Sequence, residues 1–205
     1  MTQIAKPLFQ QALGDEAWQR LAPAVQRHYR MGHAEAEEQE LKGQMDEIFH
    51  APYAKPLLWL AGRFGGLVAR GGRDVPVTVR NWTDPARPNV LFWHRTFRFS
   101  DSDHCIFRSC MERIGKSDEI VESLRYGVGI RMRVEERDGA LVYTALSHGW
   151  KIGSRFLPIP NWMLLGDAVI VERAIADDEL YLDFVIHHPW FGKTFGYRGR
   201  FTFPR

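Results

Sequence analysis

From Pro76 to the C-terminus this chain alternates apolar and polar residues with a period of two. Phe195, Tyr197, Phe201 and Phe203 interleave with Gly196, Arg198, Arg200 and Thr202, and Ile130, Met132 and Val134 interleave with Arg131, Arg133 and Glu135. Side chains alternate between the two faces of a strand, so each run has one buried and one wetted row. Strands are predicted over 76–82, 90–99, 103–114, 118–125, 127–136, 140–151, 168–175, 179–188 and 194–203. Links such as Asp138-Gly139 and Asp177-Asp178 are far shorter than a parallel crossover requires, and Asp-Gly is a hairpin signal. The expected fold is α+β but mostly β: a meandering antiparallel sheet, curled into a closed or nearly closed calycin-like or helix-grip-like barrel. Its register is constrained between 90–99 and 103–114. Leu91, Trp93, Phe97 and Phe99 form one apolar row and Cys105, Phe107 and Met111 the other, so odd positions face odd positions across a turn at Ser100-Asp101-Ser102.

The first third reads differently. Trp18, Leu21, Val25 and Tyr29 recur at helical spacing within 8–30, with Asp15 as an N-cap or first-turn acid and Pro23 as a kink. Residues 34–47 are helical by composition, yet Leu41, Gly43 and Met45 alternate with polar residues; a strand over 39–49 is the reading taken. A helix is predicted over 55–70 from the stripe Leu57, Leu60, Phe64, Leu67 and Val68, with Pro56 in its first turn and Gly71-Gly72 as its stop. Pro158-Ile159-Pro160 argues against ladder pairing, and a short helical turn at 161–165 follows as a lid or plug at the barrel mouth.

With 45 % apolar residues and a net charge of +2, the chain suits one domain over 1–205 and gives no electrostatic case for a nucleic-acid partner. Arg131/Arg133 and Arg198/Arg200 read as solvent-facing rows. Cys105 and Cys110, on opposite faces of one strand, cannot bond to each other there, which fits a reducing compartment, and they make no zinc site. The first residues lack a signal-peptide pattern, and 56–69 is too short to span a bilayer. A soluble cytoplasmic protein without transmembrane segment, metal or cofactor is expected. Gly62, Gly65 and Gly66 do not follow a strand and have the wrong spacing for a phosphate cradle.

A site inside such a barrel is marked by polar residues on the apolar row. Arg95 lies between Trp93 and Phe97, His188 continues Leu182, Phe184 and Ile186, and His148 follows Val142, Thr144 and Leu146; Glu112 and Glu172 are mid-strand acids on unassigned rows. An inward Arg95 needs a carboxylate or a bound anion. The candidate ligand-binding set is Arg95, Trp93, Phe97, Phe107, Glu112, His148, Phe184, His188 and Tyr197, with Phe201 beside them. No nucleophile elbow or reactive-cysteine signature is present.

Several short motifs in order resemble one family. They are Leu8-Phe9-Gln10-Gln11-Ala12-Leu13-Gly14, Leu21-Ala22-Pro23-Ala24-Val25-Gln26-Arg27-His28, Trp93-His94-Arg95-Thr96-Phe97, Met111-Glu112-Arg113-Ile114-Gly115, Leu157-Pro158-Ile159-Pro160 and Tyr197-Arg198-Gly199. On them the chain resembles the domain of unknown function 4166 family over nearly its whole length. The resemblance brings no catalytic residues. It implies that Arg95 and Glu112 belong to the shared pattern, and that relatives occur fused behind oxidoreductase domains like saccharopine dehydrogenase or short-chain dehydrogenases.

Three readings follow. In the first, a non-catalytic barrel holds an apolar or acidic amphiphilic small molecule, with Arg95 anchoring an acidic head group; the plain alternative is a barrel filled by its own side chains. In the second, a hydrolase-, isomerase- or cyclase-like enzyme pairs His148 or His188 with Glu112 or Glu172. In the third, the chain is an interaction module for a separate oxidoreductase partner.

Overall fold

The computed structural model of the chain describes residues 6–31, 36–64, 66, 68–87, 89–113 and 118–204. Three short helices, α1 (Leu8–Leu13), α2 (Asp15–Arg20) and α3 (Pro23–Tyr29), precede β1 (Glu38–His50) and α4 (Lys55–Arg63). Then come β2 (Gly72–Thr83), β3 (Val90–Ser100), β4 (Asp103–Arg113), β5 (Glu119–Ser123), β6 (Val128–Arg137) and β7 (Ala140–Ile152). β8 (Arg155–Ile159), β9 (Asp167–Ala176), β10 (Glu179–His188) and β11 (Gly192–Thr202) complete the chain.

Every pairing is antiparallel, and neighbours follow chain order from β1 to β7, then β9, β10 and β11. β11 returns to β1, with Gly43 opposite Phe201 and Ile48 opposite Tyr197, so ten strands close into a barrel. The expected odd-to-odd register holds: Leu91 faces Met111, Arg95 faces Phe107 and Phe97 faces Cys105. Asp138 and Gly139 both have positive φ, as a two-residue hairpin of this kind needs.

The strand reading of 39–49 holds as β1, since Leu41 and Met45 belong to its buried row. The single helix over 8–30 is corrected to three. Gly14 at φ 80° interrupts it first, and the extended backbone of Leu21 and Ala22 interrupts it again. Asp15 is a first-turn acid of α2, whose N-cap is Gly14. The helix over 55–70 is also corrected. It stops at Arg63, where Phe64 and Gly66 both turn their N–H groups back to the Ala61 carbonyl. Gly32, Gly65, Leu67, Ile114 and Gly115 lie outside the described residues. Finally, Pro158 does not prevent pairing: β8 is an added edge strand on β7, with Pro158 opposite Gly149, and an edge tolerates proline.

Connections in a meander alternate between the two ends of the barrel. One end, the base, is closed by α1–α3. Phe9 packs at a tilt on Tyr29 with ring centroids 4.3 Å apart and meets Tyr143 edge-on at 5.8 Å, the Ala22 N–H donates to the Gly139 carbonyl (2.9 Å), and Arg20 pairs with Glu136. The other end, the mouth, carries α4, the β7–β8 hairpin and a 3-10 turn at Asn161–Met163. The inward rows form one apolar core that includes Leu41, Phe97, Ile120, Met132, Leu180 and Phe195.

The closing seam is tight. A Cβ on Gly199 would stand 2.3 Å from the Gln44 carbonyl oxygen, and one on Gly43 would stand 2.1 Å from that of Arg200. Gly199→Ala is therefore expected to cost about 1–3 kcal/mol through overpacking. A denaturant midpoint equal to the parent's contradicts this packing of the seam.

Candidate functional site

The barrel interior is not filled. A cavity of about 410 Å3 runs through it. Its walls come from the inward rows, with Trp93 and Arg95 on β3, Phe107 and Met111 on β4, Met132 on β6 and Phe184 on β10. His28 and Tyr29 of α3 form its floor, while Leu57, Leu60 and Phe64 of the α4 region stand at its mouth. Leu60 and Trp150 line it and are also exposed, so it reaches the surface there. Ten strands explain the space, because eight already give a bore just wide enough for side chains to fill.

Two polar groups sit in this apolar interior. The first is built on Arg95, whose side chain is 11 % exposed. Arg95 Nη1 donates to Glu122 Oε1 (3.0 Å) and Ser109 Oγ (3.1 Å), and Ser109 itself donates to Glu122 (2.6 Å). The guanidinium lies between the rings of Trp93 and Phe107, 4.6 and 4.7 Å from their centroids. Burial works against its charge, and the Glu122 carboxylate together with the Tyr197 and Tyr29 hydroxyls more than offsets this, holding Arg95 above the usual arginine pKa. Of the two partners expected for an inward Arg95, the barrel supplies the carboxylate.

The second group lies at the floor. His28 Nδ1 is 2.6 Å from Glu172 Oε1, and Tyr29 donates its hydroxyl to Glu172 Oε2 at 3.0 Å. The Asn81 amide is 2.9 Å from His28 Nε2. With Nδ1–H donated to Glu172, Nε2 accepts from Asn81, and both imidazole nitrogens are engaged. Burial, followed by the charge of Glu172, pushes the Tyr29 and Tyr143 hydroxyls well above the ordinary tyrosine range. Burial pushes Tyr197 up to about 12. All three stay protonated donors at neutral pH. The Trp93 indole N–H is buried and has no acceptor among the described residues.

Of the residues expected from sequence, Arg95, Trp93, Phe107, His148, Phe184, Tyr197 and Phe201 line the cavity. Phe97 is fully buried behind the wall, its ring 6.0 Å from that of Tyr197. Glu112 is corrected: it lies on the row opposite Phe107 and Met111, outside the bore, and pairs with Lys151 at 2.6 Å. His188 is also corrected. The β10–β11 register shifts between Ile186 and His187, and its ring leaves the cavity. There its Nε2 meets the Trp162 carbonyl and its Nδ1 accepts from the Trp190 N–H, a structural role. Neither His148 nor His188 meets Glu112 or Glu172; the histidine that does is His28.

Sequence reasoning passed over Glu122, His28, Tyr29, Asn81 and Tyr143. For Glu122 a signal existed, because it lies between Ile120 and Leu124 on an otherwise apolar stretch of its row. Both free thiols, Cys105 and Cys110, are pushed up by burial, which keeps them unreactive. Among the described residues no group of three or more His, Cys, Asp and Glu side chains could hold a metal ion.

These features define a class: a closed antiparallel up-and-down barrel with an apolar bore, internally paired charges, a base sealed by helices and an open mouth. The chain belongs to the family described as Domain of unknown function (DUF4166), whose model matches residues 21–201. No curated protein and no solved structure matches the chain.

Two outcomes test this geometry. Glu122→Leu leaves Arg95 buried without its carboxylate and is expected to cost about 3–5 kcal/mol, much of it recovered in Arg95→Met/Glu122→Leu. A neutral single variant contradicts the pair. Burial lowers the His148 pKa, with its Nε2 3.2 Å from the Gly166 carbonyl, and burial lowers that of His94 too. The unfolded chain then binds these protons more readily, so stability falls as pH drops below about 6.5. The His148 ring should titrate below the ordinary histidine value by NMR, and a midpoint at or above that value contradicts its buried position.

Proposed function

We propose that this barrel binds an apolar or amphiphilic small molecule in its interior and does no chemistry on it. The observation that carries this reading is the 410 Å3 cavity, whose walls are almost wholly apolar and aromatic and which reaches the surface beside Leu60 and Trp150. Ligand pockets commonly span about 300–1,000 Å3 and combine apolar walls with a few polar groups that fix orientation.

The chemistry of the bore narrows the head group. Arg95 is already matched by Glu122, and Glu172 adds a second carboxylate, so an acidic head group would enter beside two acids and one arginine. A neutral oxygen suits the site better. Among the described residues the buried Trp93 N–H has no acceptor. An apolar molecule ending in a carbonyl or ether oxygen would satisfy this donor, whereas leaving it unpaired costs about 1–3 kcal/mol.

The hydrogen-bonded His28–Glu172 pair favours a second, enzymatic reading, because it borders the cavity. Against it, His28 has no ring nitrogen left to serve a substrate, and Glu172 already accepts from two groups. A role as module for a separate oxidoreductase is compatible with binding, since the carrier of an apolar substrate would serve such an enzyme.

The test pairs native mass spectrometry with titration of Nile red, a neutral apolar dye. Either a co-purified ligand or saturable dye binding with a blue-shifted emission is expected, and Ile170→Trp, which fills the bore, should abolish it. A clean apo mass together with no saturable binding contradicts the proposal.

A further inference from the structure

Four of the five connections at the mouth fall within 51–71, 124–128, 150–166 and 187–194. Two independent properties concentrate in these segments. The first is exposed apolar surface: of the twelve exposed large hydrophobic residues among those described, eleven lie here, the exception being Ile175 toward the base. Trp59, Tyr126, Trp150, Trp162, Trp190 and Phe191 dominate this collar. They touch across segments, with Trp162 5.6 Å from Trp190 and Trp150 Nε1 donating to the Tyr126 carbonyl. The second property is charge. Of the chain's 27 basic and 25 acidic residues these segments hold seven and none, so the remainder carries 20 against 25.

Five of the seven, Lys55, Arg63, Arg125, Arg155 and Lys193, have no carboxylate partner among the described residues, while Lys151 is held by Glu112 and Arg70 by Asp103. Arg63 and Arg125 instead lie over the rings of Trp59 and Tyr126. The fifth connection, the β3–β4 turn, carries Asp101 and leads into Asp103, and Asp167, the first residue of β9, borders the collar and accepts from the Asn161 amide. The mouth is thus an aromatic, cationic ring on a barrel whose other surfaces are net acidic.

From this juxtaposition we propose that the mouth docks on the surface of an anionic lipid bilayer. Trp and Tyr favour the bilayer–water interface because their rings have an apolar body and a polar edge. Clustered basic residues are drawn to anionic head groups, and the two contributions add. A protein partner would call for charges of both signs in balance to set register, whereas a collar with seven basic residues and three acids beside them matches a laterally uniform negative surface. Contact is confined to the mouth. The barrel wall carries exposed Arg133, Arg198 and Arg200 outside and the apolar row inside, the reverse of a barrel that crosses a membrane. Among the described residues no helix is long and apolar enough to cross one. Docking stands on the collar alone and goes beyond ligand binding, although the cavity opens within the collar and an apolar molecule could pass into it without crossing water.

The test is co-sedimentation of the full chain with vesicles of phosphatidylcholine alone and of phosphatidylcholine mixed equally with phosphatidylglycerol. Binding is expected to the mixed vesicles and to be much weaker to the neutral ones. It should weaken as salt rises from about 0.1 M to about 1 M, which shortens the Debye length from about 10 Å to about 3 Å. Arg63→Glu and Arg155→Glu should each weaken partition by at least about fivefold, the equivalent of about 1 kcal/mol per basic residue at such a surface. Trp190→Ala/Phe191→Ala should weaken it too, and Ile175→Glu toward the base should not. Circular dichroism confirms that each variant folds. Failure to sediment with the mixed vesicles overturns the proposal, as does equal sedimentation with both kinds or parent-like binding by every folded mouth variant.

Discussion

A ring of ten antiparallel strands is wider than its inward side chains can fill, and most of this structure follows from that width. The ring exists because β11 returns to β1 across a seam where Gly43 and Gly199 let the two backbones pass closely. Once it is closed, the inward rows face a bore rather than one another. Charged groups placed on those rows must find partners inside, because water at the mouth lies far from the floor. Arg95 with Glu122 and Ser109, and Glu172 with His28 and Tyr29, are the two solutions. Both join elements distant in sequence, so each also ties the barrel together, β3 to β5 in one case and β9 to α3 in the other.

The strands were legible because alternation is a local property. From β2 onward nearly every predicted run matches a strand to within a few residues, and the register of β3 on β4 could be read from two apolar rows. The meander and its closure followed from short links. The helices were less legible. The breaks at Gly14 and Leu21 are decided by how short helices fit over the barrel base, which no spacing rule contains. β8 was missed because Pro158 counts against pairing unless the strand is known to be an edge, and that depends on β9 having displaced it from the ring.

The site was half legible. Searching apolar rows for misplaced polar residues found Arg95, because its row is clear. The same search fails for Glu172, since Ala168, Ile170 and Ala174 on one side and Val169, Val171 and Ile175 on the other make both rows of β9 apolar. It also could not see His28, which comes from a helix and reaches the interior only because α3 caps the base. The row of Glu112 was left open, although the inward Phe107 and Met111 at alternate positions already put it on the outer face. Partners brought together by topology, rather than by spacing, lie beyond this kind of reading.

The base and the mouth divide the work of the molecule. The base is sealed by aromatic packing and buried hydrogen bonds; the mouth is left open among exposed aromatic side chains. The central claim is that the interior accepts an apolar molecule with a neutral polar end, and the Trp93 indole N–H reports on it most directly. In a proton–nitrogen NMR titration with a medium-chain ketone, with this resonance assigned by Trp93→Phe, the Trp93 signal should shift saturably as its N–H gains an acceptor. Shifts confined to exposed indoles such as Trp59 and Trp190, or no shift at all, would contradict an interior binding site.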